Sequence, residues 1–393
     1  MGIKGLAKLL SDEAPDSVRE VPLSSLHGRK IAIDASMAIY QFLIAVRSSN
    51  AGNNASVMLT NEKGETTSHV QGFFNRTVRF LSEGIRPVFV FDGKPPPLKD
   101  HELTKRRARA KEATTKLKQA QEDGNIEEEE KQSKRLVRAG QKENEDCMTL
   151  LGLMGVPVVK APCEAEAQAA AMAKAGSVHA VATEDMDALT FATPVLYRKM
   201  TFASGKADIQ KLNYQQAIDG LNLSSDEFID LCILLGCDYC DTIRGIGPKT
   251  ALKLIQQHRT IEKILSTLDR KKYGVPDNWL PPTTATDEEK EEFVPIYVEA
   301  RKMFTNHEVI QDVKLDWKPC QEPELRKYLV EEMGFNPDRV GSSIDKLQKA
   351  YKALAKPQTR MDSFFKVLPH KKKETTTKAA PKKKTTTAKK RRR

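Results

Sequence analysis

The chain has 393 residues, 39% of them apolar, a mean hydropathy of −0.52 and a formal net charge of +11. That length allows one large domain or two smaller ones with a real core. No apolar run approaches the length of a membrane span, so composition excludes a helical membrane protein and predicts a soluble one.

Charge is unevenly spread. Residues 371–393 hold twelve Lys or Arg against the single acid Glu374, so this tail alone carries +11 and residues 1–370 balance at 52 of each sign. Any electrostatic function in the body must come from segregation of charge. The N-terminus shows no apolar secretory core. Met1-Gly2 fits myristoylation poorly, because Leu6 stands where Ser or Thr is needed. Cys237-Asp-Tyr-Cys240 has the C-x-x-C form, but a zinc site needs a second pair and a redox site wants a βαβ turn. Reduced thiols scattered through an intracellular protein are the expectation.

In chain order, Arg29 to Asp34 is a short apolar run ending in an acid, followed by a helical pattern through Met37, Ile39, Tyr40, Phe42, Leu43 and Val46. Arg86 to Asp92 repeats the design. Leu98 to Lys118 is strongly basic, Gln121 to Glu130 turns acidic around the breaker Gly124-Asn125, and Lys131 to Met154 reads helical. Val156 to Val159 leads into Glu164-Ala-Glu166 and an alanine-rich helix ended by Gly176. Val178 to Ala182 is again a strand, stopping at Thr183-Glu-Asp-Met-Asp187. Strands alternating with helices predict an α/β fold with a central, mainly parallel sheet flanked by helices. Ligands in such sheets bind outside the carboxyl ends of the strands.

The acids cluster at those ends. Asp34, Asp92, Glu164, Glu166, Asp185 and Asp187 follow strands or open the next helix, and Asp238 sits in Leu235-Gly-Cys-Asp-Tyr239. Magnesium prefers oxygen ligands, and two such ions can clamp a phosphodiester. Seven gathered carboxylates without cations would repel one another. The bland alternative, a helix cap for each acid, fits Glu164 or Asp185 alone but not the whole set. No Ser/His/Asp constellation competes, and His27, His69 and His179 read as structural.

The basic insertion leaves from Asp92 and returns before Glu164, so its foot should stand beside the acids. A solvated helical hairpin is the plain reading of such charge runs; a basic arch admitting a polyanion is favoured by the position. Farther on, Asp226 to Leu235 predicts a short helix, and Gly245-Ile-Gly247-Pro248-Lys249 a tight turn opening a helix from Thr250 to His258. Its outward N–H groups, with Lys249 and Lys253, suit a phosphate in a helix–hairpin–helix clamp. Tyr40 could stack on a base or be a half-buried helix aromatic. Residues 272–300, rich in Pro and acids, read as a surface connection, and 323–356 as helices closing the fold. Beyond Pro357 the chain is low-complexity and predicted to be disordered. Phe364-Phe365 is an apolar knob there, suited to docking on a partner.

Taken together, these stretches closely resemble the eukaryotic flap endonucleases, a branch of the structure-specific 5′ nucleases. The matching segments are Met1-Gly-Ile-Lys-Gly-Leu6, Asp34-Ala-Ser36, Val90 to Pro96, Glu164-Ala-Glu166, Ala182 to Asp187, Leu231 to Gly236 and Arg244 to Lys249. Gln358, Met361, Phe364 and Phe365 fit the family's sliding-clamp box. The resemblance implies two magnesium ions, one served by Asp34, Asp92, Glu164 and Glu166 and the other by Asp185, Asp187 and Asp238. It implies that Lys99 and Arg106 position the scissile phosphate. It implies DNA contacts at Tyr40, Arg47, Arg76, Glu164, Gly236, Asp238, Gly245, Gly247 and Lys249, with a potassium ion at the helix–hairpin–helix. Cys237 and Cys163 are departures, Cys237 standing where Ser is expected; neither is a proposed ligand.

The expected organisation is an N-terminal nuclease region over 1–110, the arch over 98–154 and an intermediate region over 128–259 with the helix–hairpin–helix at 226–258. A closing helical region over 260–356, the clamp box at 357–365 and the basic tail at 366–393 complete it. The expected activity is cleavage of 5′ flaps and 5′-to-3′ exonuclease action in lagging-strand replication and long-patch base excision repair. The partners would be branched DNA and the trimeric sliding clamp. The protein would be a monomer by itself, located in the nucleus, with nucleolus and mitochondrion as further destinations. A ribonuclease on the same sheet and a non-catalytic junction-binding scaffold are the rival readings.

Overall fold

Five of the strands are parallel because helices or long crossovers join one to the next and return the chain to the same edge. In the computed structural model, residues 2–48, 67–137, 139–200, 209–282, 284 and 286–354 are described. Among them a seven-stranded sheet forms from β1 (Val18–Val21), β2 (Lys30–Asp34), β3 (Arg86–Phe91), β4 (Val158–Lys160), β5 (Ala180–Ala182), β6 (Val195–Arg198) and β7 (Ile209–Asn213). The spatial order is β1-β7-β6-β5-β2-β3-β4. The pairings β2–β3, β2–β5, β3–β4 and β5–β6 are parallel, and β6–β7 and β1–β7 antiparallel. The sheet is thus mixed, with its antiparallel pairings confined to one side.

The period of two along β2 and β3 builds two cores. Ala32, Val88 and Val90 face one, while Ile31, Ile33, Phe89 and Phe91 face the other. Both strands are buried on both faces, so they read as continuous apolar runs. The helices are α1 (Leu6–Glu13), α2 (Ala35–Ser48), α3 (Ser68–Ser82), α4 (Asp100–Glu122), α5 (Ile126–Arg135), α6 (Gln141–Leu153), α7 (Ala165–Lys174), α8 (Asp187–Thr190), α9 (Tyr214–Leu221), α10 (Ser225–Leu235), α11 (Pro248–His258) and α12 (Ile261–Thr267). Then come α13 (Asp287–Glu292), α14 (Ile296–Thr305), α15 (Glu322–Lys327) and α16 (Pro337–Leu354). Residues of α2, α3, α6 and α16 pack in the core of Ile31 and Phe89; residues of α1, α7, α9, α10, α11, α12 and α14 pack in the other.

Local chemistry explains the helix ends. Gly124 takes φ 65 after α4, and the Asn125 side chain caps α5 by accepting from Glu128 N. Ser224 and Glu227 form a capping box at α10, and Gly236, with φ 107, ends it. Pro248 opens α11 at its first position.

The stretch from 272 to 300 departs from the surface connection expected. Trp279 is fully buried, its ring 5.2 Å from that of Tyr297. Arg301 then ties α14 to Asp230 of α10 at 2.5 Å and to Glu262 of α12 at 2.6 Å. Prolines and acids marked exposure correctly for α13, but two aromatics between them suffice to anchor the segment. No described helix is long and apolar enough to cross a membrane.

Candidate metal and nucleic-acid site

Parallel pairing puts the carboxyl ends of β2, β3, β4 and β5 along one edge, and the chain reverses its direction of travel across the sheet between β2 and β5. A crevice is expected at such a switch point. Asp34 is the last residue of β2, and Asp92 directly follows β3. Glu164 and Glu166 open α7 after β4, while Asp185 and Asp187 follow β5. Asp238 arrives from the turn after α10.

Each acid is held. Asp34, buried, accepts from Met37 N at 2.9 Å and from the Thr183 hydroxyl at 2.9 Å. Thr183 Oγ1 in turn accepts from Asp185 N, and Asp185 Oδ1 from Asp187 N. Asp92 is exposed, and its Oδ1 accepts from Ala165 N at 2.9 Å, which ties the end of β3 to the start of α7. Glu164 accepts from Lys99 Nζ at 2.5 Å and from the Tyr239 hydroxyl. Asp238 accepts from Arg106 Nη2 at 2.8 Å through both oxygens and lies 3.2 Å from Lys99 Nζ.

The acids also feel one another. Burial, then the charge of Asp92, raises the Asp34 carboxyl to about 7. Burial pushes Glu166 well above the usual carboxylate range, and Asp34, Asp92 and Asp185 push it further. Asp187 is raised by burial and then by Asp185 and Asp238; Asp185 is raised by burial first. Burial works to lower the Lys99 ammonium, yet Glu164 and Asp238 carry it above its ordinary value. Distant carboxylates therefore converge, and the foot of α4 lies among them, as the chain order required.

The residues fit hard divalent cations. Among the described residues no three His, Cys, Asp or Glu side chains close into a ready-made cage. Lys99 and Arg106 engage two of the seven acids, however, and Asp34, Glu166, Asp185 and Asp187 are oxygen donors pushed up first by burial and then by neighbouring acids. Asp187 Oδ1 is buried without a hydrogen-bond partner, a cost that a cation would relieve.

The remaining sequence-predicted residues fall in three groups. Gly236 adjoins the acid-bearing turn. Gly245 (φ 93), Gly247 and Lys249 lie exposed at the start of α11, with Lys249 Nζ 3.7 Å from Glu13. Tyr40 is half-buried against the core of α2, and the Arg76 guanidinium stands 4.4 Å from the Phe42 ring centroid. Burial, then Arg79, lowers Arg76 to about 9. Arg47 belongs to α2, but its side chain is outside the described residues, as are Gln358, Met361, Phe364, Phe365 and the basic tail. His27 and His69 are structural: their ring nitrogens pair with Glu83 O at 3.0 Å and Asp146 at 3.1 Å.

Several contributors escaped the sequence reading. Tyr239 orients Glu164, and Thr183 bridges Asp34 to Asp185. Lys105 and His101 of α4 both pair with Asp241. Gly93 allows two loops to touch: its N–H donates to Cys163 O at 2.7 Å, and a Cβ there would lie 2.1 Å from Ala161 O. Gly2, with φ 73, packs so closely that a Cβ would sit 1.8 Å from Asp185 Oδ1. Tyr239 and Thr183 adjoin proposed ligands in sequence, Gly2 and Gly93 lie in stretches that resemble the family, and Lys105 belongs to the basic run; nothing in sequence marks the pairing with Asp241.

An acidic crevice at parallel strand ends beneath a basic helical insertion is the arrangement of an XPG-type nuclease fold. Residues 1–113 match the XPG N-terminal domain and residues 155–238 the XPG I-region. Flap endonuclease 1 of Phaeodactylum tricornutum is 63% identical over 390 residues, covering 93% of this chain and 92% of that protein. Flap endonuclease 1 of Nematostella vectensis is 52% identical, covering 94% and 92%. Among solved structures, flap endonuclease-1 from Methanococcus jannaschii superposes with a TM-score of 0.65 at 32% identity, covering 90% of this chain and 99% of that one. The catalytic core of Rad2 in complex with DNA substrate gives 0.62 at 25% identity, covering 88% and 100%. The chain belongs to the flap endonuclease family.

Proposed function

We propose that the chain is a magnesium-dependent endonuclease that cuts 5′ flaps on branched DNA and also acts as a 5′-to-3′ exonuclease. The observation that carries this is the convergence of acids from four strand ends around Lys99 and Arg106. In this reading Asp34, Asp92, Glu164 and Glu166 would hold one ion, and Asp185, Asp187 and Asp238 a second. When bound, such ions supply Lewis-acid stabilisation of charge on a phosphodiester.

The chain's own residues do the rest. Lys99 and Arg106, now paired with Glu164 and Asp238, would turn to the scissile phosphate when DNA enters, while Tyr239 and Thr183 keep their acids oriented. The exposed N–H groups at the start of α11, with a potassium ion, would hold a phosphate of the unbroken duplex. Tyr40, Arg47, Arg76 and Gly236 would add contacts that read backbone and shape rather than bases. The arch of α4 and α5 would admit a single strand. The box at Gln358, Met361, Phe364 and Phe365 would dock on the trimeric sliding clamp, and the basic tail would direct nuclear import or tether the chain weakly to DNA. These features suit a monomer serving lagging-strand synthesis and long-patch base excision repair.

The test compares flap, single-stranded and plain duplex DNA, with magnesium and with chelator. Magnesium-dependent cleavage should favour the flap, and Asp185→Ala should bind the flap without cutting it. Full activity in that variant would refute the assignment.

A further inference from the structure

The turn after α10 carries a pair of thiols that the proposed reaction does not use. Cys237 and Cys240 face each other across an isolated antiparallel bridge, and their sulfurs lie 3.7 Å apart. Antiparallel partners bring Cα atoms within about 4.5–5.5 Å, inside the range a disulfide spans. Cys237 is partly exposed, while Cys240 is buried. Between them stand only Asp238 and Tyr239. Asp238 receives Arg106 and Lys99, Tyr239 donates to Glu164, and Asp241, one residue on, receives Lys105 and His101. Thus this short turn is both an edge of the acidic site and the seat of the foot of α4.

We propose that Cys237 and Cys240 form a reversible oxidation site, a dithiol that a hydroperoxide converts to a disulfide, unseating α4 and switching cleavage off. The Cys237 thiolate attacks one peroxide oxygen; an S–O bond forms, the O–O bond breaks, and the hydroxide released takes up the thiol's proton as water. The Cys240 sulfur then attacks the Cys237 sulfur. The S–S bond forms, the S–O bond breaks, and the second hydroxide leaves as water with the Cys240 proton. Two thiols lose two electrons, and the peroxide gains them; a dithiol reductant reverses the step.

The consequence follows from distance. Closing 3.7 Å to a bond of about 2.0 Å moves the two sulfurs together by about 1.7 Å, and the bond then constrains the turn that carries Asp238 and Tyr239 between them. Misplacement by about 1 Å can cost on the order of 100-fold in rate.

The effect on cleavage rests on the function proposed above, so the experiment reads oxidation and displacement without it as well. Purified full-length chain is treated with hydrogen peroxide or with dithiothreitol. Peptide mapping by mass should find the 237–240 peptide two hydrogens lighter after peroxide. Limited trypsin digestion, without DNA or metal, should cut faster within residues 99–118 of the oxidised chain. Flap cleavage should fall at least about 10-fold, return with dithiothreitol and resist peroxide in Cys237→Ser and Cys240→Ser. Absence of the light peptide overturns the proposal. So does its formation with trypsin sensitivity unchanged, or equal peroxide inactivation of the serine variants. A reduced chain that cuts no flap overturns the function reading instead, and the peptide map and digestion still decide this one.

Discussion

At the scale of single residues, the site depends on groups that orient the acids as much as on the acids. Tyr239 is the clearest. Burial, then the neighbouring Glu164 charge, raises its phenol well above the ordinary value, so it stays protonated and donates. Its ring packs edge-on against Phe304 at 5.0 Å, which fixes the direction of that hydroxyl. Tyr239→Phe keeps the packing and removes the donor. Outer partners of ligating groups are worth about 10–100-fold in metal affinity. The magnesium concentration for half-maximal flap cleavage should therefore rise about 10-fold, with the melting curve little changed; an unaltered magnesium dependence would remove Tyr239 from the site. Residues of this kind explain what sequence could and could not tell. Asp34 and Asp92 were legible because short apolar runs end in them, and Glu164 because such a run leads into it. Tyr239 was not, because its partner is 75 positions away and only the shared core of α7 and α10 brings them together.

At the scale of elements, the acids are aligned because loops after adjacent strands are fastened to one another. Gly93 N bonds to Cys163 O and Lys94 N to Pro162 O, joining the end of β3 to the end of β4. A Cβ at Gly93 would meet Ala161 O at 2.1 Å and Pro162 O at 2.4 Å, and both obstacles are backbone. Gly93→Ala must therefore separate the two loops and shift Asp92 relative to Glu164. Cleavage should fall on the order of 100-fold while far-ultraviolet circular dichroism is retained. Gly152→Ala is the control, since a Cβ there meets nothing within 4 Å and a helical Gly→Ala change favours the helix. Equal rates for the two variants would dissolve the argument. The parallel half of the sheet was readable for the same structural reason that it works: each strand is an unbroken apolar run. The strands β1, β6 and β7, which make the antiparallel pairings, were not read. β1 carries the exposed polar pair Arg19-Glu20, and β7 sets half-buried Gln210 and Lys211 between Ile209 and Leu212. Its partner β7 lies nearly two hundred residues on, so its strand character comes from pairing rather than from composition.

At the scale of the whole molecule, the body is neutral in sum but divided in place, with acids lining the crevice and bases on the helix above it. Lys99 and Arg106 join the two, so the same contacts that seat the arch also neutralise part of the acidic pile. The remaining repulsion has a thermodynamic signature. An acid whose carboxyl is raised on folding stabilises the protein while protonated and loses that contribution as pH climbs through the folded value. For Asp34 the loss runs from its ordinary 3.8 to about 7, and Glu166, Asp185 and Asp187 are raised in the same direction. Divalent cations bind the ionised form and restore the balance, so their effect must grow as the acids ionise.

The most direct measurement is the melting temperature of the full chain with excess magnesium minus that with chelator, followed from pH 5 to pH 8. A ligand at 100 times its dissociation constant adds about 2.7 kcal/mol, enough to raise melting by a few degrees. We predict a difference near zero at pH 5 that opens to several degrees at pH 8 and shrinks in Asp187→Asn. A difference that is absent at pH 8, or the same at both ends of the range, would contradict the convergence of these carboxylates on shared cations.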